Sequence, residues 1–150
     1  MQDRIEKAVE LAAPVARVWR AVADYKEFGA WFRVSLDGPF VPGARSTGHV
    51  TYPGYEHLKW EAVVQKIEPE RLFSFTWHPY AVEPGTDYSK ETPTLVEFTL
   101  EKTATGTRLR VVESGFDKLP AHRRDTAFQR NGEGWTIQMQ NIAQYLEQHA

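Results

Sequence analysis

The chain has 150 residues, with 18 Lys and Arg against 20 Asp and Glu, and its net charge of −2 gives none of the basic footprint that a phosphate backbone requires. Nucleic acid is therefore not an expected partner. The absence of cysteine excludes disulfides, thiolate zinc sites and a cysteine nucleophile. Hydrophobic residues make up 41% of the chain and aromatic residues 13%, enough for a core that needs no metal or disulfide.

The segment from Met1 to Lys7 is polar and no later run approaches transmembrane length, so a cytoplasmic protein without a membrane span is expected. Ile5, Lys7, Val9 and Leu11 alternate with Glu6, Ala8 and Glu10, the period of a strand with one buried face. Pro14 then stands where a helix begins, and Val15, Val18, Trp19 and Val22 follow at helical spacing. Asp24 is suited to cap a second short helix that runs through Trp31, and Gly38, Pro39, Pro42 and Gly43 punctuate the loop after it.

Five strands follow: Thr47 to Tyr52, Leu58 to Ile67, Leu72 to His78, Thr94 to Lys102 and Thr107 to Ser114, all rich in β-branched and aromatic residues. Turns such as Pro53-Gly54, Pro69-Glu70 and Thr105-Gly106 are short, which implies antiparallel hairpins. The segment from Pro79 to Pro93 is too long for a hairpin and reads as a mobile lid or binding loop. At the end Phe128, Trp135, Met139, Ile142 and Leu146 recur at helical steps, marking one long amphipathic helix. Gly132 and Gly134 fall near its beginning, where they imply a start, a kink or a close contact.

With no repeat and no linker, residues 1–150 read as a single α+β domain, its antiparallel sheet covered on one face by the terminal helix. Several motifs carry a more particular resemblance. Ala13-Pro14-Val15 with Val18-Trp19, Trp31, Trp60-Glu61, Ile67-Glu68-Pro69, Leu72 to Trp77, Gly106 to Leu109, Ser114-Gly115-Phe116 and Gly134-Trp135 stand in an order that resembles one family. It is the family of activator of heat-shock-protein-90 ATPase homologues, in the START and polyketide-cyclase superfamily. The resemblance implies a helix-grip (START-like) fold in which a curved sheet wraps a long C-terminal helix around a cavity, often a site for hydrophobic molecules. It does not imply one shared activity. The eukaryotic chaperone activators carry a second domain ahead of this one, so a chaperone partner is the lesser expectation.

Strand parity says which side chains face the helix. Val96, Phe98 and Leu100 point inward, as do Phe73, Phe75 and Trp77, and Leu58, Trp60, Ala62 and Val64. Leu109 and Val111 set the inward parity of the last strand, and the same parity makes Glu113 an inward carboxylate in an apolar strand. Buried there, it needs a partner. Lys7 shares the inward parity of its own strand, and because the family fold makes first and last strands neighbours, Lys7 is a candidate to pair with Glu113. The candidate ligand-cavity residues are Trp31, Trp60, Phe73, Phe75, Trp77, Phe98, Glu113, Phe116, Trp135 and Met139. The same residue types also build an ordinary aromatic core.

Other chemistry finds little support. His49, His57, His78, His122 and His149 show no metal-ligand spacing, and parity puts His49 and His78 on the outer face, His78 also standing where the long loop begins. No serine sits in a nucleophile elbow, and Gly132-Glu133-Gly134 is no phosphate cradle, so neither metal nor cofactor is expected. Arg123, Arg124 and Arg130, with Lys118 and His122, form a basic cluster that reads as a solvated face or a surface for an acidic partner. The expected function is binding of a small hydrophobic or aromatic molecule between sheet and helix. A cyclase- or hydratase-type enzyme using the same cavity and a chaperone-associated interaction protein are the alternatives.

Overall fold

The computed structural model describes residues 3–82 and 85–149. Its sheet has seven antiparallel strands: β1 (Arg4–Leu11), β2 (Val34–Leu36), β3 (Arg45–Val50), β4 (Lys59–Glu68), β5 (Leu72–Trp77), β6 (Thr94–Lys102) and β7 (Thr107–Ser114), in the spatial order β1-β7-β6-β5-β4-β3-β2. Helices α1 (Val15–Ala23) and α2 (Tyr25–Phe32) follow β1, a 3₁₀ turn spans Phe116–Lys118, and α3 (Ala121–Gln148) closes the chain. This is the expected helix-grip arrangement, an α+β fold whose curved sheet holds a long terminal helix.

Local sequence explains most of these elements. In α1, Val18, Ala21 and Val22 lie on one face and are buried. Asp24 caps α2, its side chain accepting from the backbone N–H of Lys26 at 2.9 Å and of Glu27 at 3.2 Å. Trp135, Met139, Ile142 and Leu146 form the buried stripe of α3 together with Ala127. The inward residues of β4, β5, β6 and β7 follow the expected parity, with Trp60, Phe73, Phe75, Val96, Phe98, Leu109 and Val111 all in the core. An irregularity between Val64 and Lys66 shifts the register of β4 against β5, so Ile67 rather than Lys66 packs on the core.

Two features depart from the sequence reading. A short strand, β2, occupies the stretch after Trp31 that reads as loop, and pairs Val34, Ser35 and Leu36 with Val50, His49 and Gly48. Arg33 turns the chain into it from α2 with a left-handed backbone, φ 70°. Glycine admits it: a Cβ at Gly48 would lie 2.1 Å from the Ser35 carbonyl oxygen, and one at Gly29 would lie 2.4 Å from that of Val34. The second departure is α3, which starts at Ala121 and runs without a break through Gly132 and Gly134.

Candidate functional site

The inward carboxylate of β7 is the chemical centre of the interior. Glu113 is 0% exposed, and its two oxygens accept four hydrogen bonds. Oε1 takes the Asn131 amide at 2.9 Å and the Trp135 indole N–H at 2.8 Å. Oε2 takes the Trp77 indole N–H at 2.7 Å and the Thr94 hydroxyl at 2.6 Å. A buried carboxylate without partners would cost several kcal/mol, roughly. Here hydrogen bonds to a charged-type acceptor, each worth about 1.5–3 kcal/mol, offset that cost.

The donors come from three elements. Thr94 begins β6 on the inward parity of Val96 and Phe98, Trp77 ends β5, and Asn131 and Trp135 stand one helical turn apart on α3. Glu113 thus ties the sheet to its helix. The expected Lys7–Glu113 pair does not form: in the β1–β7 register Ile5 stands opposite Glu113 and Lys7 opposite Val111. Among the described residues Lys7 has no ion pair.

Around this node the aromatic residues pack ring on ring. The Trp77 ring centroid is 5.5 Å from that of Trp60 and 5.8 Å from that of Trp135, while Trp60 lies 5.4 Å from Phe75 and Phe98 5.6 Å from Trp135. Phe28 and Phe32, with ring centroids 4.8 Å apart, join the cluster from α2 and bring Trp31 with them. Phe73 and Phe98 are 6.3 Å apart at an angle of 14°. Trp31, Phe73, Phe75, Phe98, Trp135 and Met139 all belong to the buried core. Phe116 lies apart, against Phe128, at 5.3 Å.

Open space begins where this cluster ends. A cleft of about 890 Å³ is bordered by Phe32, Trp60 and Trp77 on the interior side, by Leu58, Lys59 and Glu61 along β4 and its approach, and by His78, Tyr80, Ala81, Val82 and Tyr88 of the long loop. Of the ten candidate residues, Trp60 and Trp77 border it. Trp60 is fixed by its indole N–H on Ser46 Oγ at 2.9 Å, and Trp77 by Glu113. His78 departs from its expected outer-face position, because β5 ends at Trp77 and the chain turns into the loop. A second cleft, about 680 Å³, opens between α2, β2 and the end of α3, with Lys26, Arg33, Asn141, Gln144 and Gln148 in its walls. Its polar lining suits an apolar molecule less.

The loop over the first cleft is fastened by the basic cluster at the start of α3. Arg123 donates from Nε to Glu91 Oε1 at 2.9 Å and to Oε2 at 3.1 Å, and from a terminal nitrogen to the Pro79 carbonyl at 2.9 Å. Its guanidinium also lies 4.8 Å from the centroid of the Tyr88 ring. Arg124 is likewise turned inward, donating to the Leu119 carbonyl at 2.9 Å. Glu83 and Pro84, in the middle of the loop expected to be mobile, lie outside the described residues.

Sequence reasoning did not single out Thr94, Asn131, Phe32 or the Arg123–Glu91 tie. Thr94 shares the parity of Phe98, and Asn131 precedes Trp135 by four residues, so both were on inward faces that the pattern defines. Among the described residues no cluster of His, Cys, Asp and Glu could hold a metal, and no helix is long and apolar enough to cross a membrane.

A curled antiparallel sheet around a long terminal helix, with an aromatic interior opening into a cleft, defines a domain of the START and polyketide-cyclase type. The chain belongs to the family described as activator of Hsp90 ATPase homolog 1-like protein, which it matches over residues 12–147. That family is known for ligand binding. A protein from Mesorhizobium loti shares the fold with a TM-score of 0.77 at 23% identity, covering 98% of each chain. DynU16, a protein in the dynemicin biosynthetic locus, is 27% identical with a TM-score of 0.75; the alignment covers 98% of this chain and 48% of DynU16. An Arthrobacter aurescens protein gives 0.77 at 18% identity over 97% of this chain and 86% of its own. Among curated proteins none matches significantly.

Proposed function

We propose that this domain binds a small hydrophobic or aromatic molecule in the cleft beneath the 79–93 loop. The observation that carries the reading is the pair of indoles, Trp60 and Trp77, packed edge to face at 63° and bordering, with Phe32, open space of ligand size. Their polar N–H groups are turned onto Ser46 and Glu113, and while Trp60 is 4% exposed, the half-buried rings of Trp77 and Phe32 offer surface for an apolar guest. Phe75 and Trp135 pack directly on those two rings, Phe73, Phe98, Met139 and Phe116 belong to the core behind them, and Trp31 borders the second cleft.

The polar anchor in this reading is indirect: Glu113 does not border the cleft, and it fixes the guest by fixing Trp77. Catalysis by Glu113 is the weaker reading for the same reason. Each of its oxygens already holds two donors, so no lone pair is left to take a proton from a substrate.

The test begins with native mass spectrometry of protein purified from its own host, followed by calorimetric titration with any co-purifying molecule and with a panel of small aromatic and lipid-like compounds. Binding should be saturable, and Ala81→Phe, which puts a ring into the cleft from the exposed loop, should abolish it while leaving the melting temperature unchanged. Binding that survives Ala81→Phe, or a panel in which nothing binds, would remove the cleft from consideration.

A further inference from the structure

Resting on the cleft reading, we infer that the guest carries an alkylated ammonium head, held in the corner that Phe32, Trp60 and Trp77 make at the edge of the cleft. All three rings border the open space. Phe32 and Trp60 are inclined at 78° with ring centroids 5.4 Å apart, Trp60 and Trp77 at 63° and 5.5 Å, and Phe32 and Trp77 at 61° and 6.3 Å. No two of these walls are parallel, so they make no slot that would sandwich a flat ring. Three steeply inclined walls suit a rounded group instead, and the rounded group that aromatic faces attract most strongly is a cation clothed in methyls. Trp60 is 4% exposed, while the half-buried rings of Phe32 and Trp77 keep surface for such a head.

A charge behind the corner sets the sign. On the rim Arg45 is paired with Glu61 at 2.8 Å, and Lys59 is matched in number by Asp87, so the rim itself selects neither sign. Arg123, against Tyr88 on the loop side, is paired with Glu91. Glu113 differs from all of these. Its four partners, Trp77, Thr94, Asn131 and Trp135, are neutral, and it has no ion pair among the described residues. It is fully buried, where a charge is screened less than on the rim. The Trp77 indole that borders the cleft donates to this carboxylate at 2.7 Å, a bond that polarises the ring towards a more negative face. An alkylammonium head against Trp77 therefore meets the ring and, one indole away, a carboxylate with no countercharge. An anionic head is repelled by both.

Two phenols of the same shape test the inference: (4-hydroxyphenyl)trimethylammonium and its uncharged carbon counterpart, 4-tert-butylphenol. Each is titrated by calorimetry, and its position is read from shifts of the Trp60 and Trp77 indole N–H resonances. The ammonium probe should bind roughly tenfold more tightly. Phe32→Leu, which exchanges an aromatic wall for an aliphatic one, should cut that ratio by roughly threefold or more, and Glu113→Gln, which removes the charge behind Trp77, should lower it as well. Equal affinities in the wild type, or a ratio that either substitution leaves unchanged, would overturn the inference and leave cleft binding standing. If neither probe moves the two indole signals, the cleft reading itself fails, and this inference with it.

Discussion

Glu113 shows how far a single residue can be taken from sequence. Parity against Leu109 and Val111 places it inside, where it is found fully buried. Its partners were not legible, because parity orders residues along one strand and says nothing about which side chains arrive from other elements. Lys7 had the right face of the neighbouring strand and the wrong register, opposite Val111, and the donors came instead from β5, β6 and α3. This arrangement changes what an amide does at the position. In Glu113→Gln an NH₂ group must face one oxygen's pair of donors, and each pair contains an indole N–H that can only donate. At least one buried donor is then unpaired, at about 1–3 kcal/mol, and the surviving bonds lose their charge assistance. Calorimetry should show a melting temperature several degrees lower, at about 2–4 °C per kcal/mol for a chain of this size. A melting temperature within a degree of wild type would mean that the four bonds add nothing to stability.

Among the elements, long periodic ones were legible and short ones were not. The α3 stripe and the inward faces of β4 to β7 repeat often enough for their period to show. The three residues of β2 complete barely one alternation, and the trace they leave in the sequence is on their neighbours, in the glycines at 29 and 48 that clear room for its backbone. The glycines of α3 mislead in the opposite sense, since they neither start the helix nor make room for a neighbour. A Cβ at Gly132 would meet only Ile5 Cδ1, at 4.0 Å, and one at Gly134 would meet nothing within 4 Å. Gly134→Ala should therefore stabilise the protein by about 0.5–1 kcal/mol, through helix propensity and a less flexible unfolded chain. Chemical denaturation checks it: a higher midpoint with an unchanged slope is expected. A lower midpoint would show that Gly134 has a packing role.

At the scale of the whole molecule, Arg123 joins parts of the chain far apart in sequence, since it holds the Pro79 carbonyl at one end of the long loop and Glu91 near the other. Both partners are mostly shielded from solvent, the Arg123 and Glu91 side chains being 12% and 16% exposed, so the tie is worth more than a surface pair. Arg123→Ala should raise amide hydrogen exchange at Tyr80, Tyr88 and Glu91 by roughly tenfold or more, while amides of β6 and β7 stay protected. Unchanged exchange in the loop would show that other contacts hold it.

What the sequence determined by itself follows from short-range periodicity and composition: the α+β class, the meander, the faces of the long helix, the inward carboxylate and the aromatic character of the interior. Side-chain period is a local property of strand and helix geometry, so it survives without knowledge of partners. Only the tertiary structure decided that aromatic rings pack on one another between sheet and helix, that Glu113 is closed off by four donors, and that the open cleft begins at Trp60 and Trp77 beside a loop held by Arg123. Those outcomes depend on register between strands and on rotamers in close packing, where side chains distant in sequence compete for one volume.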